Sequence, residues 1–96
     1  MDPVQELYQV PDEIVLRPER DGGIVFNSLS GQMFGVNISA LKLLLRLKLE
    51  PQSFAELTDY LCNTFRLNGE NREVVAQHLE VFVKNGSVRK LIKEIR

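Results

Sequence analysis

Short apolar runs separated by turn residues occupy the first third of the chain. The run at residues 14–17 is rich in β-branched side chains and is followed by proline, as in a strand near a sheet edge. A glycine-rich turn at residues 21–23 leads into a second apolar run, residues 23–27. A further turn precedes a third run at residues 32–37. Because the connections are short, these runs predict an antiparallel three-stranded meander.

The spacing of apolar residues becomes helical after the third strand. Ser39 is a suitable N-cap for a first helix over residues 39–49. Ser53 and Glu56 have the spacing of a capping box for a second helix. A third helix over residues 71–86 ends at an asparagine-glycine pair, a typical C-terminal signal. The helical positions predicted to face the core are Ala40, Leu43, Leu44, Leu47, Phe54, Leu57, Leu61, Phe65, Val75, Leu79 and Phe82.

The order of these elements, strands first and helices afterwards, predicts an α+β fold. We expect a winged-helix-like domain at residues 13–86, with a three-stranded antiparallel sheet followed by three helices. Residues 1–12 are polar and contain two prolines, which predicts a flexible N-terminal arm. Residues 87–96 carry apolar side chains at helical spacing, which predicts a short fourth helix or a packed tail.

The first helix carries a second apolar stripe besides its core face. Leu41, Leu45 and Leu49 follow one another at intervals of four residues. Exposed together, they would form an apolar patch of the kind that monomeric proteins cover or use for binding. We expect the apolar residues of the tail, Leu91, Ile92 and Ile95, to fold over this patch. The alternative is a homodimer joined through the same leucines.

Composition narrows the class of protein without assigning a function. The chain has 96 residues, a formal net charge of -1, 44% hydrophobic residues and 26% charged residues. These values are typical of one soluble domain and give no global attraction to nucleic acid or to anionic membranes. The sequence also lacks the basic start and apolar run of a secretory signal, and its apolar stretches are too short to span a membrane. We therefore expect a cytoplasmic protein.

The residues that could support catalysis are few. Cys62 is the only cysteine and His78 the only histidine, which excludes an internal disulfide and a metal site of several histidines or cysteines. The two could in principle act as nucleophile and base. Cys62, however, lies beside Leu61 within a predicted helix, where a free cysteine usually behaves as a small buried apolar residue. The sequence therefore predicts a protein that is not an enzyme and needs no cofactor.

DNA binding is the main alternative function, because winged helices often enter the major groove. A recognition helix should present arginines and lysines for base and phosphate contacts. In the third helix, Arg72 and Lys84 are offset by Glu73 and Glu80. The basic residues of the tail, within residues 89–96, are also explained by the negative end of a helix dipole. This mixed charge argues against a nucleic-acid partner.

The ordered set of strands, turns and helices from Ile14 to about Phe82 resembles the PqqD family. The strand ending in arginine is Val15-Leu16-Arg17, and the acidic-glycine turn is Arg20-Asp21-Gly22-Gly23. The next strands are Ile24-Val25-Phe26-Asn27 and Met33-Phe34-Gly35-Val36-Asn37, followed by a helix opening with Ser39-Ala40. The family's second and third helices are matched by Ser53-Phe54-Ala55-Glu56-Leu57 and by Val75, Leu79, Phe82 and Val83. The sequence departs from the family pattern at Ile38 and Leu44, where proline and an aromatic residue are common.

The resemblance implies a non-catalytic element that binds the leader of a ribosomal precursor peptide and presents it to a modifying enzyme, often a radical S-adenosylmethionine enzyme. In that family the leader adds as a strand to the third strand and lies against the third helix, a form of β-augmentation. On the third helix, Val74 and Val81 could instead widen the core face. The residues that the resemblance and the open strand edge assign to the peptide are Gln32, Met33, Phe34, Gly35, Val36, Val74, Gln77, His78 and Val81.

Overall fold

The computed structural model describes residues 6–65 and 69–95, and the side chains of residues 69–71 lie outside that description. Across these residues the fold is α+β, as predicted, with four strands before the first of three helices and two further short strands after the first and third helices. The strands are β1 (Leu7–Gln9), β2 (Ile14–Glu19), β3 (Gly22–Asn27), β4 (Met33–Asn37), β5 (Gln52–Ser53) and β6 (Lys93–Glu94); the helices are α1 (Ile38–Leu49), α2 (Phe54–Thr64) and α3 (Gly69–Val88).

The predicted meander is confirmed as an antiparallel sheet in the order β2-β3-β4. Its inner face carries a row of paired residues, Leu16 opposite Val25 and Val25 opposite Phe34. Val25 is completely buried, and the partly buried Leu16 and Phe34 pack against the same core. Since side chains alternate between the two faces of a strand, the other face carries Met33 and Gly35. The sheet therefore covers the helices with one face only.

A second, smaller sheet in the order β5-β1-β6 was not predicted. Its central strand, β1, lies within the segment predicted to be a flexible arm, and that prediction is wrong for residues 7–11. The backbone N–H of Val10 donates to the carbonyl of Leu47 at 3.3 Å, and the Val10 side chain is buried in the core. Backbone pairing and one apolar anchor thus fix this segment.

The helix N-termini differ in how well their caps were predicted. The capping box of α2 is confirmed: the Ser53 hydroxyl accepts from the Glu56 N–H at 3.1 Å, and the Glu56 carboxylate accepts from the Ser53 N–H at 2.9 Å. The predicted N-cap of α1, Ser39, is wrong. The helix begins two residues earlier because the side-chain oxygen of Asn37 accepts from the Ala40 N–H at 2.8 Å.

The C-terminal end of α3 also differs from the prediction. The helix continues through the asparagine-glycine pair to Val88, and the chain reverses at Lys90, which has a φ of 62°. The Lys90 N–H donates to the carbonyl of Ser87, and the Leu91 N–H donates to that of Gly86. These two bonds form a Schellman motif in which lysine occupies the left-handed position that glycine usually holds.

The tail packs into the core, but away from the predicted leucine stripe. Leu91 and Ile92 are buried, and Ile92 lies directly against Gly86 of α3. Leu41 does not need a cover from the tail, since it is 2% exposed and its side chain packs over Gly23 of β3. Leu45 and Leu49 stay exposed, at 37% and 79%. A homodimer through these two leucines remains a prediction.

A single ammonium group ties α1 to the loop that leads into β2. The Lys48 Nζ atom donates to the carbonyl oxygens of Pro11, Asp12 and Ile14, at 3.3, 3.2 and 2.6 Å. We expect Lys48→Met, which keeps the aliphatic stem, to lower the free energy of unfolding by about 1–3 kcal/mol, because it leaves these carbonyls without a charged donor. Urea unfolding measures the change. Lys42→Met on the same helix is the control, and an equal loss in both variants would contradict this role.

Candidate functional site

The open edge of β4 is the first component of the candidate site. β4 pairs with β3 on one side, and among the described residues no strand pairs with its other side. The Asn27 N–H donates to the carbonyl of Gln32 at 2.9 Å, which marks this residue pair as hydrogen-bonded. Because such pairs alternate along an antiparallel ladder, Phe34 and Val36 direct their backbone groups toward β3. Met33 and Gly35 therefore direct their N–H and C=O groups outward.

A groove runs beside this edge, between β4, the first turn of α1 and α3. It consists of two adjoining cavities of about 540 and 240 Å³. The two cavities share Asn37, Ala40 and Phe82. The larger is also lined by Ser39, Leu43, Leu61, Phe65, Val75, His78 and Leu79, and the smaller by Gly35, Val36, Leu44, Asn85, Gly86, Arg89 and Leu91. An occupant of the groove would thus lie within reach of the outward groups of β4.

The chemistry of the larger cavity is apolar. Leucine, valine and phenylalanine side chains from all three helices supply most of its described wall, and His78 is the one ionisable residue among the described lining residues. Phe82 is half-buried between this cavity and the smaller one. A cavity of this size and lining suits a large apolar side chain, while Asn37 and Ser39 supply polar atoms at one end.

Among the described lining residues, the one permanently charged group lies in the smaller cavity. The Arg89 guanidinium lies over the ring of Phe34, 5.4 Å from its centroid, as in a cation–π contact. Arg89 follows the last residue of α3 and Phe34 lies in β4, so the contact joins the two walls. Among the described residues, no carboxylate forms an ion pair with Arg89; the ion pairs present join Arg17 to Glu19, Arg46 to Glu50 and Arg72 to Asp59.

The predicted peptide-binding residues of β4 fall into two sets. Phe34 and Val36 are half-buried and face the helices, with Val36 lining the smaller cavity. Met33 and Gly35 are exposed, and their backbone groups form the open edge. Gln32 is exposed immediately before the strand, with its carbonyl committed to Asn27. The structure therefore places Gly35 and Val36 at the groove and Phe34 beneath Arg89. Met33 lies at the open edge, whereas Gln32 lies before the strand with its carbonyl bonded to Asn27.

The predicted residues of α3 are only partly brought to the groove. His78 lines the larger cavity, but Val74, Gln77 and Val81 are not among the lining residues. Val74 and Val81 are 49% and 58% exposed, which also excludes the alternative that they widen the core face. Gln77 is exposed as well. Val74, Gln77 and Val81 therefore lie on a face of α3 that is directed to solvent and not to the groove.

Six described residues of α3 and its C-terminal end line the groove but were not predicted to do so: Val75, Leu79, Phe82, Asn85, Gly86 and Arg89. The first three were assigned to the core, Asn85 and Gly86 to the end of the helix, and Arg89 to the basic tail. Together with His78, these residues recur at spacings of three and four, the pattern of one helix face. That periodicity was present in the sequence, but it could not distinguish a groove wall from a core face without the position of β4.

The groups considered for catalysis do not form a site. Cys62 is buried in α2 and does not line the groove, whereas His78 is exposed at its rim. Within the described residues there is no group of three metal-ligating side chains. Tyr8 has its pKa raised to about 12 by burial and by its hydrogen bond to the Glu6 carboxylate, at 3.0 Å, but it lies in the second sheet. The described helices include none that is long and apolar enough to cross a membrane.

The third helix presents little free positive charge. The Asp59 carboxylate pairs with Arg72 and raises the pKa of its guanidinium, so this arginine is engaged by α2. Glu73 and Glu80 are exposed on the same helix as Lys84. The mixed charge expected from the sequence is therefore present on the exposed surface of α3.

A comparison with solved structures identifies a protein of the same fold. The structure of TbiB1 in complex with the TbiA(beta) leader peptide superposes on this chain with a TM-score of 0.73 and 18% sequence identity. The match covers 88% of this chain and 94% of that one. The fold is PqqD-like. No family model matches the sequence, and no curated protein is similar to it.

Proposed function

We propose that this protein binds the leader of a ribosomal precursor peptide as an added strand on β4 and presents it to a modifying enzyme. The observation that carries the proposal is the outward edge of β4 directly beside an apolar groove. The fold shared with TbiB1, whose structure contains a leader peptide, supports the same function. In this proposal the protein itself performs no chemistry, acts in the cytoplasm and serves an enzyme such as a radical S-adenosylmethionine enzyme.

Strand addition would use backbone groups for affinity and side chains for selectivity. The peptide backbone pairs with the N–H and C=O groups of Met33 and Gly35, which then lose their exposure to water. Alternate peptide side chains point into the groove, where Phe82 and its neighbours from α1 and α2 provide apolar contacts. The remaining side chains lie over the outer face of the sheet, beside Met33.

A selection experiment tests this function even though the sequence of the natural peptide is not identified. Purified full-length protein is used to select binders from a displayed library of random twelve-residue peptides. We expect selected peptides to bind with a Kd near micromolar, because a single added strand buries a small interface and must be ordered on binding. Titration of isotope-labelled protein should shift the amide signals of Met33, Gly35 and Phe82 together.

The distribution of the shifts decides the outcome. Signals that change on both β4 and the groove face of α3 support strand addition. Changes confined to residues 89–95 would contradict it, because a peptide bound only at the tail does not use the β4 edge. Failure to select any peptide that shifts Gly35 would also contradict the proposal.

A further inference from the structure

The groove has an uneven distribution of charge that bears on which peptides it accepts. Its larger cavity is lined by apolar side chains with His78 at the rim. Its smaller cavity contains Arg89, and no carboxylate is present among its described lining residues. A peptide lying along β4 therefore meets an apolar site near Asn37 and a cationic site near Phe34.

The contact with Phe34 holds Arg89 in a position suited to recognition. Stacking on an aromatic ring uses the face of the guanidinium and leaves the N–H donors around its edge free. Those donors form a planar fork that matches the two oxygens of a carboxylate. Since Arg89 is exposed and forms no ion pair with the described residues, it is available to a ligand.

We infer that Arg89 makes the groove selective for acidic peptides, in which a carboxylate side chain accompanies a large apolar side chain. This inference rests on the proposed strand addition and names the class of peptide that it would select. Arg89 acts as a specificity residue, and the larger cavity holds the apolar side chain.

The spacing of the two peptide side chains follows from strand geometry. Phe34, beneath Arg89, and Asn37, at the larger cavity, are three residues apart in β4, or about 10 Å at the rise of a strand. Both peptide side chains must point to the groove side, which requires an even separation along an extended chain. The carboxylate and the apolar residue should therefore be two or four positions apart.

Parallel selections with three forms of the full-length protein test the inference. Random twelve-residue displayed peptides are selected against wild type, Arg89→Glu and the matched control Lys84→Glu, which reverses a charge on an exposed part of α3 outside the groove. Wild type and Lys84→Glu should both enrich Asp or Glu two or four positions from a large apolar residue. Arg89→Glu should enrich Lys or Arg at that position. Acidic peptides selected by wild type should bind Arg89→Glu about five- to twentyfold more weakly.

The outcomes separate this inference from the proposed function. If the selected peptides shift the Gly35 amide but show no preference for acidic residues, the role of Arg89 is overturned and strand addition stands. The same conclusion follows if Arg89→Glu selects the same acidic peptides as wild type. If no selected peptide shifts Gly35, the proposed function fails and this inference with it. Thermal unfolding of each variant, compared with wild type, checks that a changed preference does not come from a damaged fold.

Discussion

Replacing Gly35 by proline should weaken peptide binding about ten- to hundredfold while the domain stays folded. The Gly35 N–H points away from β3, so proline removes a donor to the ligand and no bond of the native sheet. The peptide carbonyl that loses this donor is left unpaired at the edge, which costs about 1–3 kcal/mol. Isothermal titration with a selected peptide measures the affinity, and urea unfolding measures the stability.

Two further substitutions test whether the loss of the Gly35 N–H itself causes the weaker binding. Gly35→Ala keeps the N–H, and an added Cβ meets no atom within 4 Å, so this variant should bind as wild type does. Val36→Pro removes an N–H that points toward β3 and should lower the free energy of unfolding. Undiminished binding by a folded Gly35→Pro protein would rule out strand addition at β4.

The second large effect is expected where α3 meets the tail. Alanine usually stabilises a helix relative to glycine by about 0.5–1 kcal/mol. At Gly86, however, a Cβ would lie 2.5 Å from Cδ1 and 2.8 Å from Cγ1 of Ile92. Ile92 is buried and has little room to move, so we expect Gly86→Ala to lower the free energy of unfolding by about 1–3 kcal/mol instead.

A double-mutant cycle identifies the clash as the cause. Ile92→Ala alone should cost about 2–5 kcal/mol, because it leaves a cavity in the core. In that background Gly86→Ala should be neutral or stabilising, since the two atoms closer than 3.0 Å are gone and only Cβ remains, at 3.3 Å. Ile92→Val removes Cδ1 but keeps Cγ1 at 2.8 Å, so the loss caused by Gly86→Ala should be reduced there but not abolished. An unreduced loss in both backgrounds would show that Gly86 is needed for another reason.

Local signals in the sequence were sufficient for the meander and for the start of α2. The turn between β2 and β3 lies at residues 20–21, one residue earlier than predicted, and the predicted turn glycines 22 and 23 are paired within β3. The Ser53–Glu56 pair formed the expected capping box. The second sheet could not be predicted, because β5 and β6 contain two residues each and show no alternation of their own. These strands exist only because β1 pairs with both of them across long stretches of the chain.

The errors at α3 have the same origin in tertiary packing. Gly86 looked like a helix stop, but its small size serves the approach of Ile92, and Lys90 makes the actual reversal. Phe82 packs against the core, as its periodicity predicted, but it also lies at the junction of two groove cavities, which was not predicted. The β4 edge was predictable because it depends on strand order, whereas the groove face of α3 depends on how the helix is rotated against the sheet.

The small sheet also has a kinetic consequence. Its closure brings Leu7 to Ile95, whose N–H donates to the Leu7 carbonyl at 2.8 Å, while the meander needs only contacts between neighbouring strands. Contacts so distant along the chain slow folding, and a two-residue strand of exposed residues such as β6 is expected to open more readily than the meander. An opening of this sheet that extended beyond Ile92 would release Leu91, which lines the smaller cavity. A peptide bound in the groove should therefore stabilise the closed form of the small sheet. For the same reason, a change that makes the small sheet open more often should lower the affinity of the groove beside β4 for its peptide.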